Sequence, residues 1–356
     1  MSLDLKNTIV GAAFGLVASV SMLSLAQAAD RVVVGHGSSQ VEITHPGLYL
    51  GQALGLSEAE GLEIDVQLTQ GSQQALQLLA AGQVDVVSVN ANTVFDGREE
   101  GIDVRIVYSS VSHNNNYVAV LADGPYDSIA KLAGTDVGVF SMTSGGVPML
   151  KAILGEAGLK ETDISMVPVG AGPAAIEALK NGTISALSLW AGAFAVFEND
   201  GTELVLFGSE RLDPAPGYVL ATTEKFLAAN PGVIEKLGRI YAQAQLYAET
   251  NPQAVVAAYW KQYPENVPTG DREAALAQQV HILNVGLRDM RTDNRPDQRY
   301  GWNDPNGIAI LQDYLIENGA RATALPVDDL YINDYVDAFN DFDSGAIRAA
   351  AAAATP

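Results

Sequence analysis

The sequence contains no cysteine, only four histidines, and 20 basic side chains against 42 acidic ones. Without Cys there is no disulfide framework, no thiolate metal site, no cysteine nucleophile and no N-terminal cysteine to carry a lipid. A formal net charge of −22 opposes a nucleic-acid partner, because phosphates repel such a surface and no Lys/Arg cluster offsets it. Beyond the N-terminal segment no apolar run approaches the ~20 residues that a membrane helix needs. What remains is the composition of a folded chain, 48 % hydrophobic and 17 % charged. Its 356 residues leave room for about two domains.

The first residues read as an address. Met1–Asn7 carries Lys6, Ile9–Leu25 is apolar or small throughout, and Ala26-Gln27-Ala28 offers the small residues that a signal peptidase cuts after. The expectation is a signal peptide over 1–28, cleavage after about Ala28 and a mature protein free in the periplasm. An uncleaved anchor is the alternative, although the apolar stretch is short for a span.

The body repeats itself one hundred residues on. Ala75-Leu-Gln-Leu-Leu-Ala-Ala-Gly82 is answered by Ala175-Ile-Glu-Ala-Leu-Lys-Asn-Gly182, and Ser88, Ala91 and Gly101 by Ser188, Ala191 and Gly201. The register extends upstream through Leu50/Leu150, Gly55/Gly155 and Ile64/Ile164. A long repeated unit outranks any local motif as a guide to fold. Each unit alternates strand and helix: in the first, strands at 31–34, 62–68, 84–89 and 104–108 around helices at 46–56 (Thr44 as N-cap), 73–81 and 92–100. This predicts an α/β fold of two similar lobes, each a mostly parallel sheet with helices on both faces. Lobe I is expected to begin at 29–121 and lobe II to occupy 122–210. Residues 211–356 return to lobe I and add long helices, around 224–229, 231–250, 252–262, 272–287, 307–318 and 333–339, before a frayed alanine-rich end at 349–356.

Open parallel sheets bind ligands beyond their strand C-termini, so two of them can face each other across a cleft. The loops that matter are then 35–44, 90–92 and 109–116 in lobe I, and 141–146, 170–173 and 190–192 in lobe II. Several segments in and around these loops are informative together: GHGSSQ, HPGLYLGQALGLSEAEGLEIDV, AAGQVDVVSVNAN, YVAVLADGPYDSIAKLAGTDVGV and NGTISALSLWAGAFAVFENDG. In this order and spacing the chain resembles the substrate-binding proteins of ABC importers, in the branch that binds nitrate, sulfonates, taurine and thiamine-pyrimidine precursors. The resemblance implies two lobes that close on a small solute by hinge motion and then dock on a permease with its ATPase. It departs from the family after Trp190, where Ala191-Gly192 replaces the usual carboxylate and proline, and this leaves the solute subgroup open.

Read residue by residue, Ser141–Gly146 joins a strand to a helix. Thr143 or Ser144 can cap it, and Gly145 and Gly146 let a ligand approach bare N–H groups, a setting that attracts anionic or polar groups. Gly170-Ala-Gly-Pro-Ala-Ala175 imitates a dinucleotide fingerprint but lacks the acidic residue ~20 positions on, so it reads as a turn with Pro173 opening a helix. Trp190 holds the repeat position of Asn90, and a tryptophan there can stack on a flat solute. Asn92 is a hydrogen-bonding or capping candidate, and Tyr218 a further stacking one. Ser38, Ser39 and Gln40 follow the first strand, while Ser112 and His113 follow the fourth; both sets are expected to donate to solute.

His36, His45 and His113 do not have zinc spacing, and no acidic residue is placed to complete them, so no metal is expected. There is no G-x-S-x-G and no cofactor motif, and no catalysis is expected. The solute remains open among sulfonate, nitrate-like ion, aromatic carboxylate and heteroaromatic precursor. The expected partners are that small molecule and an ABC permease with its ATPase, without nucleic acid, and the chain is expected to act as a monomer. Alternatives are a ligand-sensing subunit of a signalling receptor, or an enzyme resembling the eukaryotic pyrimidine synthases, which rely on a Cys-rich motif absent here.

Overall fold

Short β-branched runs punctuated by glycine set the strands. In the computed structural model, which describes residues 29–355, the first unit contributes β1 (Asp30–His36), β2 (Leu62–Leu68), β3 (Val86–Asn90) and β4 (Val104–Val111). A crossing strand, β5 (Asn116–Leu121), leads to the second unit: β6 (Asp136–Val139), β7 (Ser165–Pro168), β8 (Ala186–Trp190) and β9 (Leu204–Phe207). A second crossing, β10 (Tyr218–Thr223), leads back. The signal segment and the cut after Ala28 lie outside the described residues.

The two sheets have one topology. Their orders are β2-β1-β3-β10-β4 and β7-β6-β8-β5-β9. β1 runs parallel to β2 and β3, and β6 to β7 and β8. The crossing strands are antiparallel to both of their neighbours. Each unit therefore lends one strand to the other's sheet. This shifts the lobe boundary: β5 already belongs to the second sheet, so lobe I ends before Asn116 rather than at 121. The matched segments coincide in structure, with helix Ala91–Glu99 after β3 and helix Ala191–Asn199 after β8.

Alternation along the strands distributes their faces. Val87 and Val89 join one apolar cluster with Leu76 and Phe95, while Val86 joins another with Val34, Tyr108 and the C-terminal helices. The second sheet is likewise covered on both faces, by clusters around Val137 and Leu150 and around Leu187 and Phe194.

Three local expectations fail for tertiary reasons. Residues 46–56 do not form one helix; they form a 3₁₀ turn (Pro46–Leu48) and two short helices (Leu50–Ala53, Leu56–Glu60), with no side-chain cap and with Gly55 at φ +72° between them. A Cβ at Gly47 would strike the Tyr241 ring, so the segment is shaped by the helix lying on it. The expected helix at 333–339 shrinks to Val336–Phe339. The alanine-rich end is not frayed. Ser344–Ala353 is a helix capped by Asp343 and tied down by Asn251 Nδ2 donating to Ala351 O (2.8 Å).

The long helices touch both lobes. Helix Arg272–Asp289 meets lobe II where Asn199 Nδ2 donates to Gln278 O (3.0 Å). Helix Pro305–Glu317 does so through Tyr314 donating to Glu156 Oε2 (2.7 Å) and the Arg211–Glu317 ion pair. Where helix Arg272–Asp289 ends, Asp289 is buried and its carbonyl accepts from His113 N (3.0 Å) at the crossing. Burial raises its carboxyl to about 6, with Asp213 adding to the shift and Arg288 and Arg291 opposing it. A carboxyl whose folded pKa is raised loses stability as pH climbs from its unfolded value through the folded one. Asp289→Asn is therefore expected to raise the melting temperature at pH 7, by a stability gain on the order of 2 kcal/mol, and hardly at all at pH 4. Equal gains at both pH values would show that the charge is not the cause.

Candidate functional site

The same alternation that fills the cores aims polar groups at the gap between the sheets. Val86, Ser88 and Asn90 share one face of β3, as Ala186, Ser188 and Trp190 share one face of β8. Asn90 pairs with Tyr218, the first residue of β10, and Trp190 with Asn116, the first residue of β5. Strand ends and crossings thus meet at one place. They line a narrow pocket together with Gly37, Ser38, Glu42 and His45 after β1, Asn115 at the crossing, and Phe140, Ser144 and Gly146 after β6.

Aromatic rings stand on both walls. On the lobe I side Tyr218 lies 4.9 Å from His45 and 5.8 Å from His36, measured between ring centroids. On the lobe II side Trp190 meets Phe140 edge-on at 5.7 Å. Apart from Leu189 and two glycines the remaining neutral lining is amide and hydroxyl, and among these residues there is no Lys or Arg. One charged group is present. Glu42 is held by Ser38 Oγ (2.6 Å) and by His36 Nε2 (3.2 Å), and His36 Nδ1 lies 3.4 Å from Ser88 Oγ. Burial alone would raise the Glu42 carboxyl. The hydrogen bond and charge of His36, then His45 and the Ser38 hydroxyl, outweigh it and hold the pKa below the usual range. His45 is pushed down to about 4 by burial and by His36, with Glu42 opposing, so it is neutral near pH 7.

The lobes touch beside this pocket. Asn92 Nδ2 donates to Gly145 O (3.1 Å), and Gln73 N donates to Thr143 O (3.2 Å). Ser141 and Thr143 hydroxyls both donate to Gln70 O (2.6 and 3.1 Å). Gly71 sits at φ +155°, and a Cβ there would strike the Thr143 carbonyl, so only glycine permits this approach.

The sequence candidates divide accordingly. Ser38, Asn90, Ser144, Gly146, Trp190 and Tyr218 are brought together on the pocket. Ser144 accepts from Gly146 N (3.1 Å) at the start of helix Gly146–Glu156, whereas Gly145 packs against Asn90. Thr143 and Asn92 are inter-lobe contacts rather than pocket groups. Gln40 lines a second, more open pocket that shares Glu42 and Trp190 with the first, and Ser39 is exposed and lines neither. Ser112 and His113 are turned away. β4 runs on to Val111, after which Ser112 donates to Arg291 O (2.6 Å) and His113 faces Asp293 (3.1 Å). Asn115 and Asn116 take the place expected of them. Sequence reasoning also passed over Glu42, Phe140, Ser188 and the Gln70–Gln73 clasp; of these only Ser188, the repeat partner of Ser88, carried a signal. The expectation that no acidic residue is placed to complete the histidines is overturned for His36 and His45, which Glu42 joins, whereas His113 lies apart from them beside Asp293.

A model of the family described as "NMT1/THI5 like" matches residues 42–255, more than half of the sequence. The chain belongs to the NMT1/THI5-like family. Among curated proteins it is similar to the formylaminopyrimidine-binding protein of Halalkalibacterium halodurans, 29 % identical over 126 residues. That alignment spans 35 % of this chain and 38 % of the relative. Among solved structures it resembles a protein of Bordetella bronchiseptica RB50 with TM-score 0.71 and 23 % identity, covering 87 % of this chain and 97 % of that one. The periplasmic nitrate-binding protein NrtA of Synechocystis PCC 6803 has TM-score 0.63 and 11 % identity, covering 92 % and 99 %. The fold is therefore that of the two-lobed periplasmic binding proteins of type II, with the two similar lobes expected from the repeat.

Two substitutions test the geometry. Trp190→Ala is expected to weaken solute binding about tenfold, the worth of a lost aromatic contact, with the melting temperature of the empty protein nearly unchanged. Asn92→Ala removes one hydrogen bond available only when the lobes meet. It should cost about 3- to 10-fold in affinity, seen as faster dissociation in stopped-flow fluorescence.

Proposed function

We propose that this protein is the solute-binding component of an ABC importer, working in the periplasm as a monomer and without catalysis. It captures a small flat solute by closure of the lobes and presents the closed form to a permease and its ATPase. The observation that carries this reading is the pocket between the lobes, walled by rings from both, and built where strand ends and crossings converge. Hinge closure over such a pocket is the ordinary working motion of two-lobed binding proteins.

The lining also narrows the solute. A free sulfonate or nitrate would meet no Lys or Arg and would lie near the Glu42 carboxylate, with only neutral donors and one helix N-terminus in compensation. A flat heteroaromatic ring instead finds stacking surfaces in Tyr218 and Trp190 and hydrogen-bonding partners in Asn90, Asn115, Asn116 and Ser188. The name of the similar Halalkalibacterium protein supports this class.

The test is a thermal-shift and calorimetric panel, run in EDTA, containing an aminopyrimidine, benzoate, an alkanesulfonate and nitrate. The aminopyrimidine is expected to raise the melting temperature in a concentration-dependent way and to alter Trp190 fluorescence, with nitrate and alkanesulfonate inactive. Binding of the oxyanions alone would overturn the heteroaromatic assignment, and no response to any member would remove the support for capture.

A further inference from the structure

The pocket holds a group of side chains that solute stacking does not explain. His36, Glu42 and His45 each offer a ligand atom, and these atoms all lie within 4.8 Å of one another. We propose that His36, Glu42 and His45 form a binding site for a divalent transition-metal ion such as Zn²⁺, with its remaining coordination position open to the solute pocket.

The donor set, two imidazoles and one carboxylate, suits zinc and its first-row neighbours and leaves a fourth position free. The spacing fits. Bonds of about 2.1 Å around a tetrahedral ion put neighbouring donor atoms ~3.4 Å apart, and His36 Nε2 to Glu42 Oε2 is 3.2 Å. The His45 donor atom lies within 4.8 Å of the other two. Supporting contacts are already built. Ser38 occupies Glu42 Oε1 (2.6 Å) and leaves Oε2 to the ion, while Ser88 Oγ lies 3.4 Å from His36 Nδ1 and can accept a hydrogen bond from Nδ1–H once Nε2 turns to the metal. Metal-bound histidines generally have such an outer partner, which fixes their tautomer. The site is shielded but not sealed: His36 is fully buried, whereas Glu42 and His45 line the pocket. The open position therefore faces the solute, and a heteroaromatic ring nitrogen is a good fourth ligand. This last step rests on the function proposed above; the three-residue site does not.

The experiment uses the full chain without a polyhistidine tag, stripped with EDTA and dialysed. Zn²⁺ alone is titrated by calorimetry, and Co²⁺ is followed by its visible absorption, which reports coordination geometry. The expected result is one ion per chain, with affinity lowered at least about tenfold by Glu42→Gln and by His45→Ala, and about tenfold by Ser88→Ala, as outer-contact losses usually are. Circular dichroism confirms that each variant is folded; Glu42→Gln is near-isosteric and Ser88→Ala removes only a hydroxyl. Absence of saturable one-to-one uptake, or uptake unchanged in Glu42→Gln and Ser88→Ala, overturns the site. The aminopyrimidine is titrated with Zn²⁺ and in EDTA. Tighter binding with Zn²⁺ supports ligation by the solute, and equal binding rejects it. Capture in EDTA without any Zn²⁺ uptake overturns the metal and leaves the importer reading standing, whereas Zn²⁺ uptake without capture does the reverse.

Discussion

The exchange of one strand between two similar sheets is the constraint on which the rest of the molecule depends. β5 leaves the first unit and is clamped antiparallel between β8 and β9, while β10 leaves the second and is clamped between β3 and β4. Each crossing begins opposite the last residue of its new neighbour, Asn116 beside Trp190 and Tyr218 beside Asn90. The two covalent connections and the two strand ends that would receive a ligand are therefore forced into one place. The pocket cannot drift from the hinge, because both are built from the same residues.

That convergence explains the division of labour in the site. Backbone ladders fix Asn90, Ser188, Trp190 and Tyr218 from the rigid side, where a displacement would break sheet hydrogen bonds. Loops supply what must adjust when the lobes approach, namely Ser38 to His45 on one side and Ser141 to Gly146 on the other. The closing contacts are mostly to main-chain oxygens, at Gln70, Thr143 and Gly145. Each neutral contact of this kind nets only about 1 kcal/mol. A handful of them can latch a closed form without making it permanent, as the proposed carrier function requires.

Much of this architecture was legible because it is periodic or repeated. The offset between Ser88 and Ser188 and between Asn90 and Trp190 marks the pocket wall in the sequence itself, since a repeated strand–turn–helix places its ends equivalently. The long helices at 231–250 and 252–262 were equally plain, each opening on Asn-Pro and closing on a capping change. What stayed hidden lacks local signature. Helix Ser344–Ala353 looks like low complexity, and its order comes from Asn251, a hundred residues away. Likewise Tyr241 and Ile240 pack closely onto Gly47 and Gly51, distant contacts that shape 46–56 and that its sequence does not announce.

Glu42 is the most instructive miss. In a chain with 42 acidic residues an individual glutamate carries almost no information, and the loop from 37 to 45 has neither strand nor helix period to say which way a side chain points. Its burial follows from the meeting of β1 with β3, which sets His36 beside Ser88 and so fixes the imidazole that the carboxylate reaches. A largely buried carboxylate costs several kcal/mol unless it is paired, and here the His36 imidazole and the Ser38 hydroxyl supply the pairing. A fold that needed only to bury that surface would do so more cheaply with an apolar side chain. The arrangement makes sense when the negative charge, beside His36 and on the pocket wall, has something to meet in the cleft.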